Sequence, residues 1–361
     1  MIPKILIIGS TGKLGSKLLS YCSKKNIPIF GATCFNNKKK ITFQKKKYAI
    51  KNTFTLSKEI EKKNFVNFLK KNKINLIYFL DYGSESLNYV NTYLKNNSKS
   101  FIAIANKELI IAGGSLLVDM IKKTKNILIP LDSEHFSLLR SNIKNSEVSK
   151  IFITASGGPF FFKKKIDLKK VQLKQVLNHP KWVMGINNTI DSSNFINKIF
   201  EIYEVSILYK IDISKINFLV SKEAYIHSLV IFKDSTISIN CFDNNMLITL
   251  IKPLSNFYKI KNIPVKKKYL DIHNLKLNIF EDKRFMIYKY LNKLKNLPHH
   301  LQIKFLILNN LSHKRYLKNE LKYDNILSFI TKNLFDKNNT VKLNTFDDIL
   351  KYIKTLNKYY G

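Results

Sequence analysis

Arginine is nearly absent from this 361-residue chain, occurring only at Arg140, Arg284 and Arg315, although lysine and arginine together number 62. Recognition of base edges and phosphates leans on the planar guanidinium fork. A formal net charge of +37 carried almost wholly by lysine therefore argues against specific nucleic-acid binding. The lysines are scattered with asparagine and isoleucine along the whole length, the pattern of compositional drift in a strongly AT-biased genome. Cysteine is scarce too. Cys22, Cys34 and Cys241 lie far apart without C-x-x-C spacing, which argues against both a disulfide framework and a thiolate zinc site. No apolar run approaches the roughly 18–20 residues of a membrane span, so no membrane partner is expected. Met1 leads within a few residues into an apolar strand pattern, so no transit peptide is expected either. A cytoplasmic, reducing location follows as the expectation.

The chain is long enough for two or three domains and a sizeable core. Residues 4–8 form a short apolar run, followed by Gly9-Ser10-Thr11-Gly12-Lys13-Leu14-Gly15 and a helix-like stretch. Strand, glycine turn and helix in this order can hold a pyrophosphate on the helix's first amides. The spacing is G-x-x-G-x-x-G, so a plain tight turn remains an alternative reading. An NAD site places an acid after the second strand to bond the ribose hydroxyl. Here no Asp or Glu precedes Glu59; the second strand-like run, 27–35, opens instead into Asn36-Asn37-Lys38-Lys39-Lys40. Amide and ammonium groups there suit a 2'-phosphate, although Lys38 to Lys40 read equally as more of the scattered surface lysines; the missing acid is the stronger reason to favour NADPH over NADH. Further strand-like runs at 76–80 and 101–105 lead into helix patterns, as a doubly wound parallel sheet requires. Asn106-Lys107-Glu108 follows the second of them, where ligands of open parallel sheets bind; a solvated loop is the alternative reading.

Residues 126–131 read as another strand, running into Asp132-Ser133-Glu134-His135. In an extended segment residues two apart project to the same side, so Asp132 and Glu134 can converge on a hard cation such as Mg2+ or Mn2+. The same tetrapeptide also reads as a helix N-cap with a first-turn Glu. A strand over 151–154 leads into Ser156 beside Gly157 and Gly158, which can offer a hydroxyl and amides to an anion. The most varied segment of the chain is 179–201, HPKWVMGINNTIDSSNFINKIFE, which holds its one tryptophan. Asp191 or Ser192 is expected to cap a helix carrying Asn197, Lys198 and Glu201. Ser192, Asn197 and Lys198 then make a phosphate cradle, and Glu201 supplies a third carboxylate. His179, Trp182 and Met184 precede it in a loop bearing Gly185, which reads as a lid.

Five ordered motifs, GSTGKLG, AIANKEL, LIPLDSEH, SGGPF and HPKWVMG followed by IDSSNFINKIFE, resemble the 1-deoxy-D-xylulose 5-phosphate reductoisomerase family of the methylerythritol phosphate route to isoprenoids. The likeness is strong over about 1–240. It implies an α/β chain with an N-terminal Rossmann-like NADP-binding domain, an α+β catalytic domain with a flexible flap, and a small C-terminal helical domain. The matching boundaries are 1–130, 131–256, a linker over 257–282, and 283–361. The resemblance implies that Asp132, Glu134 and Glu201 hold Mg2+ or Mn2+, and that Ser156, Ser192, Asn197 and Lys198 bind the substrate's phosphate. By the same resemblance Lys107 and Ser133 contact the substrate backbone, and His179, Trp182 and Met184 form the flap. Thr11, Gly12, Lys13, Leu14, Asn106, Glu108 and Gly185 fall at NADPH positions, beside Gly9 and Ser10 of the same glycine turn and Asn36 and Asn37. The implied activity rearranges and reduces 1-deoxy-D-xylulose 5-phosphate, in a homodimer.

The chain also departs from the family pattern. Phe35, Asn36 and Asn37 stand where a Gly-Lys-Asn turn is usual, Ser221 where a histidine is usual, Ile199 where a glycine is usual, and Ile186 and Asn187 where basic residues are usual. These departures leave a weakly active or inactive homologue as the second reading, ahead of a basic nucleic-acid-binding protein on a Rossmann scaffold. From about Arg284 the chain reads as helices, with His299, His300 and His313 taken as surface or packing residues.

Overall fold

The computed structural model describes residues 2–139, 141, 143–181, 185–260, 275–336 and 341–361. The chain divides into two compact units, Met1–Phe136 with Asn245–Lys267, and Ser137–Asn244 with Lys268–Gly361.

In the first unit six strands, β1 (Ile5–Ile8), β2 (Gly31–Cys34), β3 (Asn52–Thr55), β4 (Leu76–Phe79), β5 (Phe101–Ile104) and β6 (Ile127–Pro130), form one sheet. Their order is β3-β2-β1-β4-β5-β6 and every pairing is parallel. Strands β1 and β4 are buried at every position, which is why they read as unbroken apolar runs rather than as alternating ones. The order reverses between β1 and β4, the switch point beyond whose carboxyl ends ligands bind. Two sequence expectations shift. The second strand begins at Gly31 rather than at 27, because Asn26 takes a left-handed φ of 53° and the Ile27 amide turns back to the Cys22 carbonyl. The edge strand β3 carries the short, polar sequence NTFT, too weak a signal to be read.

Residues 245–256, assigned by sequence to the catalytic domain, belong to this first unit. Leu247, Leu250, Ile251 and Leu254 enter the same core cluster as Ile5, Ile7 and Tyr78, and the Tyr78 hydroxyl donates to the Leu250 carbonyl at 2.9 Å. The expected linker is structured at both described ends. Phe257, Tyr258 and Ile260 pack against the first core, whereas Asn278–Ile279 forms a strand of the second unit; 261–274 lies outside the described residues.

The second unit holds a sheet of β7 (Val148–Ala155), β8 (Ile216–Val220), β9 (Ile226–Phe232), β10 (Ile237–Cys241) and β11 (Asn278–Ile279), in the order β10-β9-β7-β8-β11. Only the β7–β8 pair is parallel. Helices Ile186–Asn194 and Ile196–Tyr209 follow β7, and the C-terminal region is helical over Ile287–Lys295, His299–Leu317, Ile326–Leu334 and Phe346–Tyr360. No helix among the described residues is long and apolar enough to cross a membrane.

If residues 245–256 complete the first core, Leu250→Ala should leave a cavity there and lower stability by about 2–5 kcal/mol. Urea unfolding followed by circular dichroism measures this, and a loss below about 0.5 kcal/mol, as at a surface site, would contradict the packing.

Candidate active site

At the end of β1 the backbone admits only glycine in two places. Gly9 has φ +85°, and a Cβ on it would lie 2.6 Å from the Asp81 amide nitrogen; one on Gly15 would lie 2.5 Å from the Gly9 carbonyl oxygen. Gly12 caps helix Lys13–Lys24, which has no side-chain cap and no acid in its first turn. Thr11, Gly12 and Lys13 line this turn, with Leu14 half-buried behind them. Ser10 is fully buried, and its hydroxyl is spent on Gln44 at 2.8 Å and the Thr33 carbonyl at 3.2 Å. It shapes the turn from inside. Asn36 and Asn37 are exposed beyond β2, where Asn37 caps helix Lys38–Lys47 by accepting from the Lys40 amide at 3.1 Å. Lys40 reaches back to the Thr11 carbonyl at 2.7 Å, tying the two helix starts together.

Asn106 caps helix Lys107–Lys123, accepting from the Leu109 amide and donating to the Gly83 carbonyl at 3.0 Å and to Asp81 at 3.3 Å. Burial pushes the Asp81 carboxyl up to about 6. Sequence reading passed over Asp81; its signal was its place directly after β4, at the switch point. The buried Lys107 ammonium donates to Asp132 Oδ2 at 2.7 Å, and Glu108 beside it is also buried. Asp132 and Glu134 each offer a carboxylate oxygen within 4.8 Å of the other. They do so at a helix start and not from an extended segment, Asp132 directly before the helix Ser133–Leu138 and Glu134 in its first turn. The Glu134 amide donates to Asp132 Oδ1 at 3.2 Å, so the capping alternative is the one the backbone adopts, and first-turn geometry juxtaposes the two acids. Ser133 donates to Glu134 Oε2 at 2.5 Å.

In the second unit Ser156 follows β7, and Gly157 and Gly158 both take positive φ. A Cβ on Gly158 would sit 2.7 Å from the Ser192 carbonyl oxygen, so glycine lets the two segments touch. His179 Nε2 lies 3.2 Å from Ser156 Oγ and 3.1 Å from Ser192 Oγ. Desolvation, with the Lys198 charge adding to it, pulls the His179 ring down to about 4. Lys198 donates to the Thr154 carbonyl at 2.7 Å and to Glu201 Oε2 at 2.5 Å, and Asn197 donates to Glu201 Oε1. Glu201 is only 2% exposed. The expected cap at Asp191 or Ser192 is corrected: Gly185 caps a first helix, Ile186–Asn194, and the chain restarts as Ile196–Tyr209 after Phe195, whose φ is 66°. Asp191 and Ser192 thus lie inside the first helix, while Asn197 and Lys198 open the second. Gly185 is exposed, with no atom within 4 Å of a built Cβ. Trp182 and Met184 lie outside the described residues.

A family model described as the 1-deoxy-D-xylulose 5-phosphate reductoisomerase C-terminal domain matches residues 128–209. A 1-deoxy-D-xylulose 5-phosphate reductoisomerase of Pelagibacter ubique (strain HTCC1062) is 34% identical over 389 residues, covering 99% of this chain and 97% of that protein. This chain belongs to the 1-deoxy-D-xylulose 5-phosphate reductoisomerase family. A reductoisomerase of Malacoplasma penetrans (strain HF-2) is 30% identical over 366 residues, covering 99% and 94% of the two chains. A crystal structure of DOX-P reductoisomerase in complex with NADPH, fosmidomycin and magnesium has the same fold, with a TM-score of 0.86 at 20% identity over 99% of this chain and 97% of that one.

The departures from the reductoisomerase pattern have distinct surroundings. Ile199 is fully buried in its helix, so its side chain is absorbed by the core. Ile186 is 53% exposed and Asn187 half-buried at the start of the first helix. Ser221 is fully buried and its hydroxyl donates to Glu223 at 3.4 Å. His227 is stacked 3.9 Å from the Phe242 ring and 3.1 Å from its carbonyl oxygen. His313, read as a surface or packing residue, is buried at 1% exposure.

The depressed His179 value sets a pH dependence. Its folded pKa of about 4 lies below the ordinary 6.5, so the unfolded chain binds the proton more readily. The stability gained by keeping the ring neutral is present above 6.5 and is lost as pH falls from 6.5 toward 4. NMR titration of the His179 ring should give a midpoint near 4; one near 6.5 would mean a solvated ring.

Proposed function

We infer that the protein is an NADPH- and divalent-metal-dependent reductoisomerase that converts 1-deoxy-D-xylulose 5-phosphate to 2-C-methyl-D-erythritol 4-phosphate for isoprenoid precursors. The observation that carries this reading, within the family, is a pair of charge clusters, Lys107–Asp132 beside Glu134 and the buried Lys198–Glu201 beside Asn197. Our reading assigns Asp132, Glu134 and Glu201 to one Mg2+ or Mn2+. The donor set fits: all three are oxygen donors, which suits a hard ion. Two of them already accept an ammonium at 2.7 and 2.5 Å, so cations are welcome at both. The glycine turn fits NADPH, with an uncapped, acid-free helix start for the pyrophosphate and Asn36, Asn37 and the lysines of the next helix for the 2'-phosphate.

When bound, the ion would supply Lewis-acid stabilisation of developing oxyanion charge and NADPH a hydride. This chain's own groups bind and orient. Ser156, Ser192, Asn197 and Lys198 grip the phosphate, lending remote binding energy to the reacting end. His179, neutral near pH 7, can accept or donate a hydrogen bond there. Lys107 and Ser133 hold the substrate's hydroxyl-bearing backbone, and the water-excluding role is assigned to His179 with Trp182 and Met184, the last two outside the described residues. Glu108, Asn106 and Gly185 line the cofactor's path. Lys107 and Lys198 keep the carboxylates charge-balanced until the ion arrives.

We place the enzyme in the cytoplasm, in keeping with three free thiols, and as a homodimer. Support for the dimer is the edge strand β10, whose Ile237 and Ile239 are 60% and 55% exposed. A second reading, a homologue that binds both ligands but turns over slowly or not at all, is favoured by Ser221, a buried hydroxyl where the family carries an imidazole.

With purified protein, NADPH oxidation should depend on 1-deoxy-D-xylulose 5-phosphate and on Mg2+ or Mn2+, and stop with EDTA. Glu201→Gln should lower kcat/KM by a factor of roughly 10²–10³, the scale of a lost charge-stabilising group. A folded protein that binds NADPH yet oxidises none with either metal would establish the second reading instead.

A further inference from the structure

Three consecutive residues of helix Ile186–Asn194 are held by three different sets of partners. Ser192 faces His179, at 3.1 Å. On either side of it, Asp191 and Ser193 are tied into the C-terminal helical region of the same unit. Asn309 Nδ2 donates to Asp191 Oδ1 at 2.8 Å, and His313 Nε2 stands 2.9 Å from the same oxygen, at ion-pair distance but off the line of a hydrogen bond. Asn309 and His313 are four apart on helix His299–Leu317 and therefore share one face. Ser193 Oγ meets the Tyr323 hydroxyl at 3.0 Å. Asp191 is 6% exposed, Asn309 and His313 1% each, and Ser193 not at all.

Placing a carboxylate there is costly without partners, and apolar side chains of similar size would pack at least as stably. What apolar packing does not supply is direction. Each residue of a helix adds about 100° of rotation, so a small roll of this nine-residue helix would swing Ser192 away from His179 and Ser156. A directed hydrogen bond on each side of Ser192 prevents that roll. On the other face the Ser192 carbonyl rests against Gly158, where a Cβ would come within 2.7 Å.

We propose that Asn309, His313 and Tyr323 are positioning residues for substrate binding, acting through Asp191 and Ser193 to aim the Ser192 hydroxyl at the substrate's phosphate. The proposal rests on the reading that Ser192 belongs to the phosphate grip. None of the three touches the substrate. Their effect is to fix the rotation of the helix that does, so it falls on substrate affinity rather than on the reducing step.

The test is a KM-against-kcat comparison on the full-length protein for Asn309→Leu, Tyr323→Phe and Ser192→Ala, with the KM for NADPH measured in parallel. Misplacement by about an ångström costs up to roughly 100-fold. We expect Asn309→Leu to raise the KM for 1-deoxy-D-xylulose 5-phosphate about tenfold or more, and Tyr323→Phe to raise it about threefold. For both, kcat should change less than about threefold and the KM for NADPH should stay constant. Asp191→Asn, which keeps the acceptor oxygen, should retain most of the affinity that Asp191→Leu loses. If Ser192→Ala raises the substrate KM while Asn309→Leu and Tyr323→Phe do not, the positioning role is overturned and the grip stands. If Ser192→Ala leaves the KM unchanged, the grip itself fails and the proposal with it. A variant that loses only active fraction lowers kcat with both KM values constant; that result for both Asn309→Leu and Tyr323→Phe shows a purely structural role and also overturns the proposal.

Discussion

A single backbone residue in an unfavourable conformation organises the candidate phosphate site. Phe195 joins the two helices with φ 66°, a region that costs a non-glycine residue about 1–2 kcal/mol. Its ring offsets that cost by burial: it is 1% exposed and lies 4.5 Å from Phe280, 5.0 Å from Phe285 and 5.9 Å from Phe218. Burial of a phenylalanine contributes roughly 1.5–3 kcal/mol, which is sufficient. Had the helix run straight through, Ser192 and Lys198 would be six positions apart on one rod, on divergent faces. The break lets the end of one helix and the first turn of the next supply a hydroxyl, an amide and an ammonium from one short stretch.

The first unit works by the opposite device, removing side chains instead of anchoring one. Gly9 and Gly15 permit the start of the first helix to close on the strand ends, where any Cβ would overlap backbone atoms. Backbone against backbone is the hardest clash to relieve, because no rotamer change helps. The turn is therefore rigid, and it presents its amides without an acid nearby: the first helix and the one after β2 both lack an acidic first-turn residue. A dinucleotide bearing an extra phosphate is favoured by that electrostatic emptiness as much as by any single lysine.

Legibility in the sequence followed the range of the forces involved. Strand, glycine turn and helix were readable at residues 4–24 because each depends on neighbours within a few positions. The composition of the site was readable as well, since residue types such as Asp132, Glu134, Lys198 and Glu201 stand out in a chain of few residue types. Local backbone geometry at the site was not. Asp132 and Glu134 were read both as extended and as helical, and periodicity could not choose between the two. The break at Phe195 depends on rings brought in by residues 280 and 285, far along the chain. The same holds for residues 245–260, whose apolar pattern shows that they are buried but not in which core. Asp81 went unread because its significance comes from Asn106, a neighbour across two strands.

The scarcity of arginine bears on how this fold is held. Most lysines are exposed, but Lys107 and Lys198 are 8% and 7% exposed and pair with Asp132 and Glu201. Arg284 has a different task. Its guanidinium donates to Asp282 through Nε and Nη2 at 2.9 and 2.5 Å, to the Phe161 carbonyl at 2.9 Å and to the Lys163 carbonyl at 2.5 Å. A planar fork with five fixed donors satisfies a carboxylate on one edge and backbone carbonyls on the other; an ammonium has three donors on a single atom and cannot span them. The segment held in this way begins three residues after Gly158 and carries Phe161, which packs 5.8 Å from the Phe195 ring. Where charge alone is needed, an ammonium serves as well as a guanidinium. Where the geometry of the donor set fixes a loop beside the Ser156 turn and the Phe195 break, arginine stands.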